Sequence, residues 1–227
     1  MRVLCIGDSL GLPREECPYE ATWYYRLKEE YPGCDFVQFF SRGLLISKAL
    51  NDFAVYYEHY NADIVIIQTG ICDCSPRYIN DLKLSVSLTK AFFYKIGLES
   101  IFWKIVKHRG RRSECVYTKI DQFASGYHTL IQKFKDAGAK KILVVKIGHA
   151  APSVIPKNPL MNENVDKYNN VIERISQDYV GIVELIDPLS KVDDSMFVDG
   201  YHCNPKGMEA VYSQLSEVFK NLNVPKN

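Results

Sequence analysis

The chain reads as a doubly wound α/β domain built on five parallel strands. Two observations predict this. Five short apolar, β-rich runs alternate with helical segments along 227 residues, and two of the runs are apolar at every position. Ile64-Val65-Ile66-Ile67 and Ile142-Leu143-Val144-Val145 show no polar alternation, as strands covered on both faces require. Strands alternating with helices imply right-handed βαβ units, and 2-1-3-4-5 is a natural order for five such strands. The length fits one core, because single cores stop growing only near ~250–300 residues.

Each element follows from local signals. The first strand is expected over residues 2–6 and the second over 34–40. A helix is expected over 18–31 between them, since Pro18 suits a first helical position and Pro32-Gly33 ends the run. A helix over 47–61 leads to the third strand, 63–69. Later come a helix over 119–137, a strand over 140–147, a helix over 162–178, a strand over 180–186 and a last helix over 205–221. Residues 70–139 exceed what one crossover needs. Within them, 82–106 is expected to form one or two extra helices, rich in Phe92, Phe93, Tyr94, Ile101, Phe102 and Trp103. A basic run follows, with Lys104, Lys107, His108, Arg109, Arg111 and Arg112 and no acid among them. Residues 1–227 are therefore read as one domain with a helical insertion at about 82–112. That insertion is expected to be a cap or a homo-oligomer contact, and its basic run a solvated patch.

Composition excludes several classes of function. Hydrophobic residues make up 47% and charged residues 24%, an ordinary globular balance. Twenty-eight basic residues against 27 acidic ones leave a net charge of +1, so the broad positive field that nucleic acid requires is absent. No uncharged apolar run reaches the ~18–20 residues of a membrane span. The apolar run at the N-terminus is too short for a secretion signal. Seven cysteines at irregular spacing fit reduced thiols better than a disulfide framework, so the expected location is the cytoplasm.

Three motifs carry chemistry. The first strand ends in Gly7-Asp8-Ser9-Leu10, which puts a serine hydroxyl at the upper rim of the sheet, where ligands of such folds bind. By itself a Gly-Asp-Ser tripeptide also makes ordinary turns. Near the C-terminus, Asp199-Gly200-Tyr201-His202 places a carboxylate three residues before a histidine, ahead of the last helix. That spacing lets Asp199 hold one imidazole nitrogen and leaves the other as a base. A turn with a surface histidine fits the same residues. The third motif, Gly70-Ile71-Cys72-Asp73-Cys74-Ser75-Pro76-Arg77, follows the third strand.

Together these blocks resemble the SGNH (GDSL-type) hydrolase and esterase superfamily. Gly7-Asp8-Ser9-Leu10 matches its first block, Gly43 its lone glycine, and Asp199 with His202 its last block. Val165 to Asn169 resembles the helix before its final strand. The resemblance runs from Ile6 to Gly207 and is weakest in the insertion. It implies a three-layer α/β/α, flavodoxin-like sandwich with a five-stranded parallel sheet. It also implies Ser9 as nucleophile, His202 as base, Asp199 as its orienter, and an oxyanion hole from Ser9, Gly43 and position 72. Family members carry Asn where this chain has Cys72. A thiol is a poor donor, and losing one oxyanion donor costs ~10²–10³ in turnover, so weakened hydrolysis is expected.

The resemblance implies a serine esterase acting on a small acyl ester, such as an O-acetyl group on a carbohydrate, with no cofactor. The alternatives are acyl transfer to a sugar hydroxyl, or a catalytically weak glycan-binding or assembly protein. Asp73, Arg77 and His149 are the candidate substrate contacts, though Asp73 also reads as a residue that shapes its own loop. A zinc site from Cys72, Cys74, His202 and Cys203 is disfavoured by Cys-x-Cys spacing without a second pair. No metal ligands are therefore assigned.

Overall fold

The computed structural model describes residues 1–108, 110–112 and 114–226. Its strands are β1 (Arg2–Gly7), β2 (Asp35–Phe40), β3 (Ile64–Gln68), β4 (Lys141–Val145) and β5 (Val183–Ile186). They form one parallel sheet in the order β2-β1-β3-β4-β5. β1 pairs with both β2 and β3, so Gly7 stands level with Phe40 on one side and Gln68 on the other. All three strands therefore end together, and their following loops share one rim.

Alternation along the strands supplies two cores. Leu4, Ile6, Val65, Ile67, Ile142 and Val144 face helices α2 (Ile46–Val55), α6 (Ile120–Asp136) and α7 (Met161–Gln177). Val3, Cys5, Ile64, Ile66, Leu143 and Val145 face α1 (Trp23–Glu30) and α8 (Pro205–Asn221). Both faces are covered, which explains the unbroken apolar runs. Phe123 anchors one core and Phe219 the other, each fully buried. Burying such a side chain contributes ~1.5–3 kcal/mol.

Several boundaries shift for local reasons. The helix expected from residue 18 begins as a 3-10 turn over Tyr19–Ala21, and α1 starts only after Thr22. The Thr22 hydroxyl caps α1 by accepting from the Tyr25 N–H at 3.3 Å. The expected helix 47–61 is α2 followed by a 3-10 turn over Tyr57–Tyr60. The expected strand 180–186 shortens to β5, because Val180 is exposed and Gly181 turns the chain at φ 87°.

Between β3 and α6 lie a short helix α3 (Ile71–Cys74) and a helical hairpin, α4 (Leu84–Lys95) and α5 (Glu99–His108). Phe93 and Phe102 pack across the hairpin with ring centroids 5.4 Å apart. α4 buries no residue, whereas α5 buries Phe102 and Val106. The base of the hairpin is closed by a backbone bridge between Arg77 and Arg112 and by the Arg77 N–H donating to the Cys115 carbonyl at 2.8 Å. Of the basic run, Arg109 lies outside the described residues. Among the described residues no helix is long and apolar enough to cross a membrane.

Candidate active site

The loop after β1 is shaped by its own carboxylate. The Asp8 N–H continues the sheet by donating to the Gln68 carbonyl at 3.0 Å. Asp8 Oδ1 then accepts from the Leu10 N–H at 2.9 Å and closes a 3-10 turn over Ser9–Gly11. This turn sits directly on Phe40: a Cβ at Gly11 would lie 2.5 Å from that ring. Ser9 is thereby lifted to the rim, half-buried, with its hydroxyl facing the cleft.

The partner loop is built before α8. Asn204 caps that helix, its side chain accepting from the N–H groups of Lys206 at 2.9 Å and Gly207 at 3.2 Å. Just upstream, the Val198 N–H donates to the His202 carbonyl at 2.8 Å, closing a tight loop. Inside it, Asp199 Oδ1 accepts the backbone N–H groups of Tyr201 at 3.1 Å and His202 at 2.9 Å. Asp199 Oδ2 lies 2.7 Å from His202 Nδ1, and His202 Nε2 lies 3.1 Å from Ser9 Oγ. Partial burial pushes the Asp199 carboxyl up, but the His202 backbone, the His202 ring and the Tyr201 backbone outweigh it and hold the group below its ordinary range. An ionised Asp199 can thus orient the imidazole and stabilise its cation, while Nε2 stands ready to take the Ser9 proton.

Gly43 and Cys72 come from the loops after β2 and β3. The Ser41 N–H donates to the Gly7 carbonyl at 3.0 Å and lays the first loop beside Ser9. Gly43 adopts φ 71° there, with open space where a side chain would stand. Burial, with Asp8 and Asp73 nearby, pushes the Cys72 thiol up to about 12, against the smaller opposing effects of Arg77 and the Gly43 N–H. Cys72 is therefore a neutral thiol at neutral pH, unsuited to nucleophilic attack.

The cleft over these groups has a volume of about 270 Å³, with Ser9, Cys72, His202, Arg77, Arg111 and Asn158 among its walls. Arg77 is where a substrate contact was expected. Asp73 and His149 are not. Asp73 is fully buried, and its carboxylate accepts from the Ile46 N–H at 3.2 and 3.3 Å and from the Thr118 hydroxyl, tying α3 to the start of α2. Burial raises it to about 6, the Thr118 and Ile46 bonds opposing. His149 belongs to a separate hollow beyond β4, where its Nε2 lies 2.7 Å from Asp166 Oδ1 and its Nδ1 3.2 Å from the Ser190 carbonyl. Asn169 sets that separation by clamping both backbone groups of Ile147 at 2.9 Å.

Arg111 and Asn158 are wall residues that sequence reasoning missed. Arg111 stood in a basic run that reads as a solvated patch, and nothing in the sequence marks Asn158. Among the described residues no cluster of three His, Cys, Asp or Glu side chains could hold a metal ion.

No protein-family model and no curated protein matches the sequence. Solved structures do match the fold. The lipase/acylhydrolase from Enterococcus faecalis superposes with a TM-score of 0.67 at 15% identity, covering 98% of this chain and 97% of that one. The acetyl xylan esterase AlAXEase gives 0.65 at 17%, covering 96% and 99%. A member of the lipolytic protein G-D-S-L family from Veillonella parvula gives 0.60 at 13%, covering 96% and 98%. The α/β fold of this chain is that of the SGNH (GDSL-type) hydrolases over nearly its full length.

Proposed function

We propose that this chain is a serine esterase of the SGNH type, hydrolysing a small acyl ester such as an O-acetyl group on a carbohydrate. The observation that carries this reading is the continuous chain from Ser9 Oγ through the His202 ring to Asp199, at 3.1 and 2.7 Å. Ser9 Oγ attacks the ester carbonyl while its proton passes to His202 Nε2. The new imidazolium is stabilised by the Asp199 carboxylate. The oxyanion faces the Ser9 and Gly43 N–H groups and the Cys72 thiol. Collapse breaks the bond to the alcohol, which leaves with the proton from His202 and an acyl group on Ser9. Water, deprotonated by the same Nε2, attacks that acyl-enzyme and releases the acid. These steps draw on no cofactor.

The carbohydrate part rests on likeness to an acetyl xylan esterase. We also read the chain as cytoplasmic, a reading that rests on seven cysteines at irregular spacing. It is read as one domain in which the α4–α5 hairpin is an insertion, and the apolar surface of α4 supports a second copy of the chain as its cover.

A fluorophosphonate reagent tests the central assignment. Intact-mass analysis should show one adduct on the wild type and none on Ser9→Ala. Equal labelling of both proteins would remove Ser9 from the nucleophile role.

A further inference from the structure

Among the described residues, two arginines on the cleft wall lack the partners that half-buried cations need. Arg77 lies flat on the Tyr117 ring, 3.5 Å from its centroid, and Arg111 over the Tyr78 ring at 4.6 Å. Among the described residues neither has a carboxylate within ion-pairing distance. Asp81, in the hollow next to the cleft, is held by the Tyr117 hydroxyl at 2.6 Å and lies 4.0 Å from Lys90. A guanidinium carries five N–H donors. Among the described residues the Arg77 side chain donates none of them, and Arg111 donates one, to the Pro76 carbonyl at 3.1 Å. The Nε of each is enclosed without an acceptor. Charged donors held partly out of water without acceptors are costly, and two cations on one wall also repel.

The surroundings share this polarity. Arg14 donates to the Ser9 carbonyl at 3.3 Å, and the exposed Arg42 adjoins Gly43. The nearby acids are committed elsewhere: Asp199 to His202, Asp73 to Ile46 and Thr118, and Asp8 to the Leu10 N–H beneath the cleft. On the same cleft Asn158 is 2% exposed, and among the described residues its side-chain oxygen has no partner.

We propose that Arg77 and Arg111 form an anion subsite, so that the ester attacked by Ser9 belongs to a molecule carrying a phosphate or carboxylate group. This rests on the esterase reading of Ser9. Guanidinium forks match both oxyanions, and the fixed stacking on Tyr117 and Tyr78 pre-orients them.

The test compares kcat/KM for mono-O-acetyl glucose 1-phosphate, mono-O-acetyl glucuronate and neutral mono-O-acetyl methyl glucoside. The wild type should prefer at least one anionic ester over the neutral one by tenfold or more. Which of the two it prefers separates phosphate from carboxylate. Arg77→Gln and Arg111→Gln should each cut that ratio about tenfold, and Arg77→Lys, which keeps the charge but loses the fork and the stacking on Tyr117, should retain only part of it. A misfolded fraction lowers all rates equally, so the ratio is insensitive to partial unfolding. Measurable hydrolysis of the neutral ester with a wild-type ratio of one or less would overturn the subsite and leave the esterase reading standing. A high ratio that survives in both glutamine variants would take the role from these arginines. If no ester is cleaved and Ser9 takes no phosphonate, both readings fall.

Discussion

At the scale of single residues, Cys72 is where this chain departs from the pattern it otherwise follows. A neutral, partly buried thiol offers the oxyanion a weak donor, and the amide of an asparagine is a better one. Cys72→Asn should therefore raise kcat for simple acetyl esters, by about tenfold if the amide reaches half the benefit of a full oxyanion donor. Cys72→Ala in the same assay separates polarity from size: a gain in both variants would mean that space, not hydrogen bonding, limits the reaction. Asp8 makes a second prediction. It is buried with one carboxylate oxygen unpartnered, and burial raises it to about 7, the Leu10 N–H opposing and Asp73 adding to the rise. A carboxyl whose folded pKa exceeds its unfolded value binds protons more tightly when folded. It stabilises the fold below the unfolded pKa and loses that contribution as pH rises through the folded one. From pH 5 to 8 the wild type should lose about 2.5 kcal/mol relative to Asp8→Asn, at ~1.4 kcal/mol per pH unit of unequal titration. Urea unfolding of both proteins at pH 5, 7 and 8 measures this. Parallel pH profiles would show that Asp8 is not the titrating group.

Among the elements, the α4–α5 hairpin is the one not explained by the sheet. Leu84, Leu88 and Phe92 recur every four residues on one face of α4 and are 74, 62 and 59% exposed. These hydrophobic positions therefore have no core to enter in the monomer. If a second copy covers them, light scattering should report a dimer for the wild type and a monomer for Leu88→Glu/Phe92→Glu. A monomeric wild type at tens of micromolar would reject self-association through this face. The shorter elements teach a related lesson. The helix expected over 18–31 and the strand expected over 180–186 are longer than the observed elements by several residues, because Thr22 and Gly181 redirect the backbone there.

For the whole molecule, sequence pattern alone determined the five strands, their parallel arrangement and the placement of Ser9, Gly43 and Cys72 on loops at one rim, whereas the loop carrying Asp199 and His202 has to reach that rim from beyond the fifth strand. Those follow from short-range physics: apolar runs too continuous for a one-sided sheet, breakers between them, and polar motifs at strand ends. The spacing of Asp199 and His202 likewise contained their mutual hydrogen bond, since three residues of turn suffice to make it. The approach of His202 to Ser9 across 193 positions of chain was not contained in any local pattern, and came only from stacking α8 against the first strands. The same holds for the contacts that were misplaced. Asp73 and Arg77 are four residues apart, yet Asp73 lies in the short helix α3 and bonds the start of α2, whereas Arg77 lies beyond the end of α3 and lines the cleft. His149 stands after the fourth strand as the rim requires, but its neighbours Asp166 and Ser190 draw it into another hollow. Arg111 reached the cleft wall only because the hairpin folds back to pair Arg112 with Arg77. Periodicity and turn chemistry act over a few residues and so are written in the sequence. Which side chains share a cavity is set by packing between distant segments, and only the folded chain decides it.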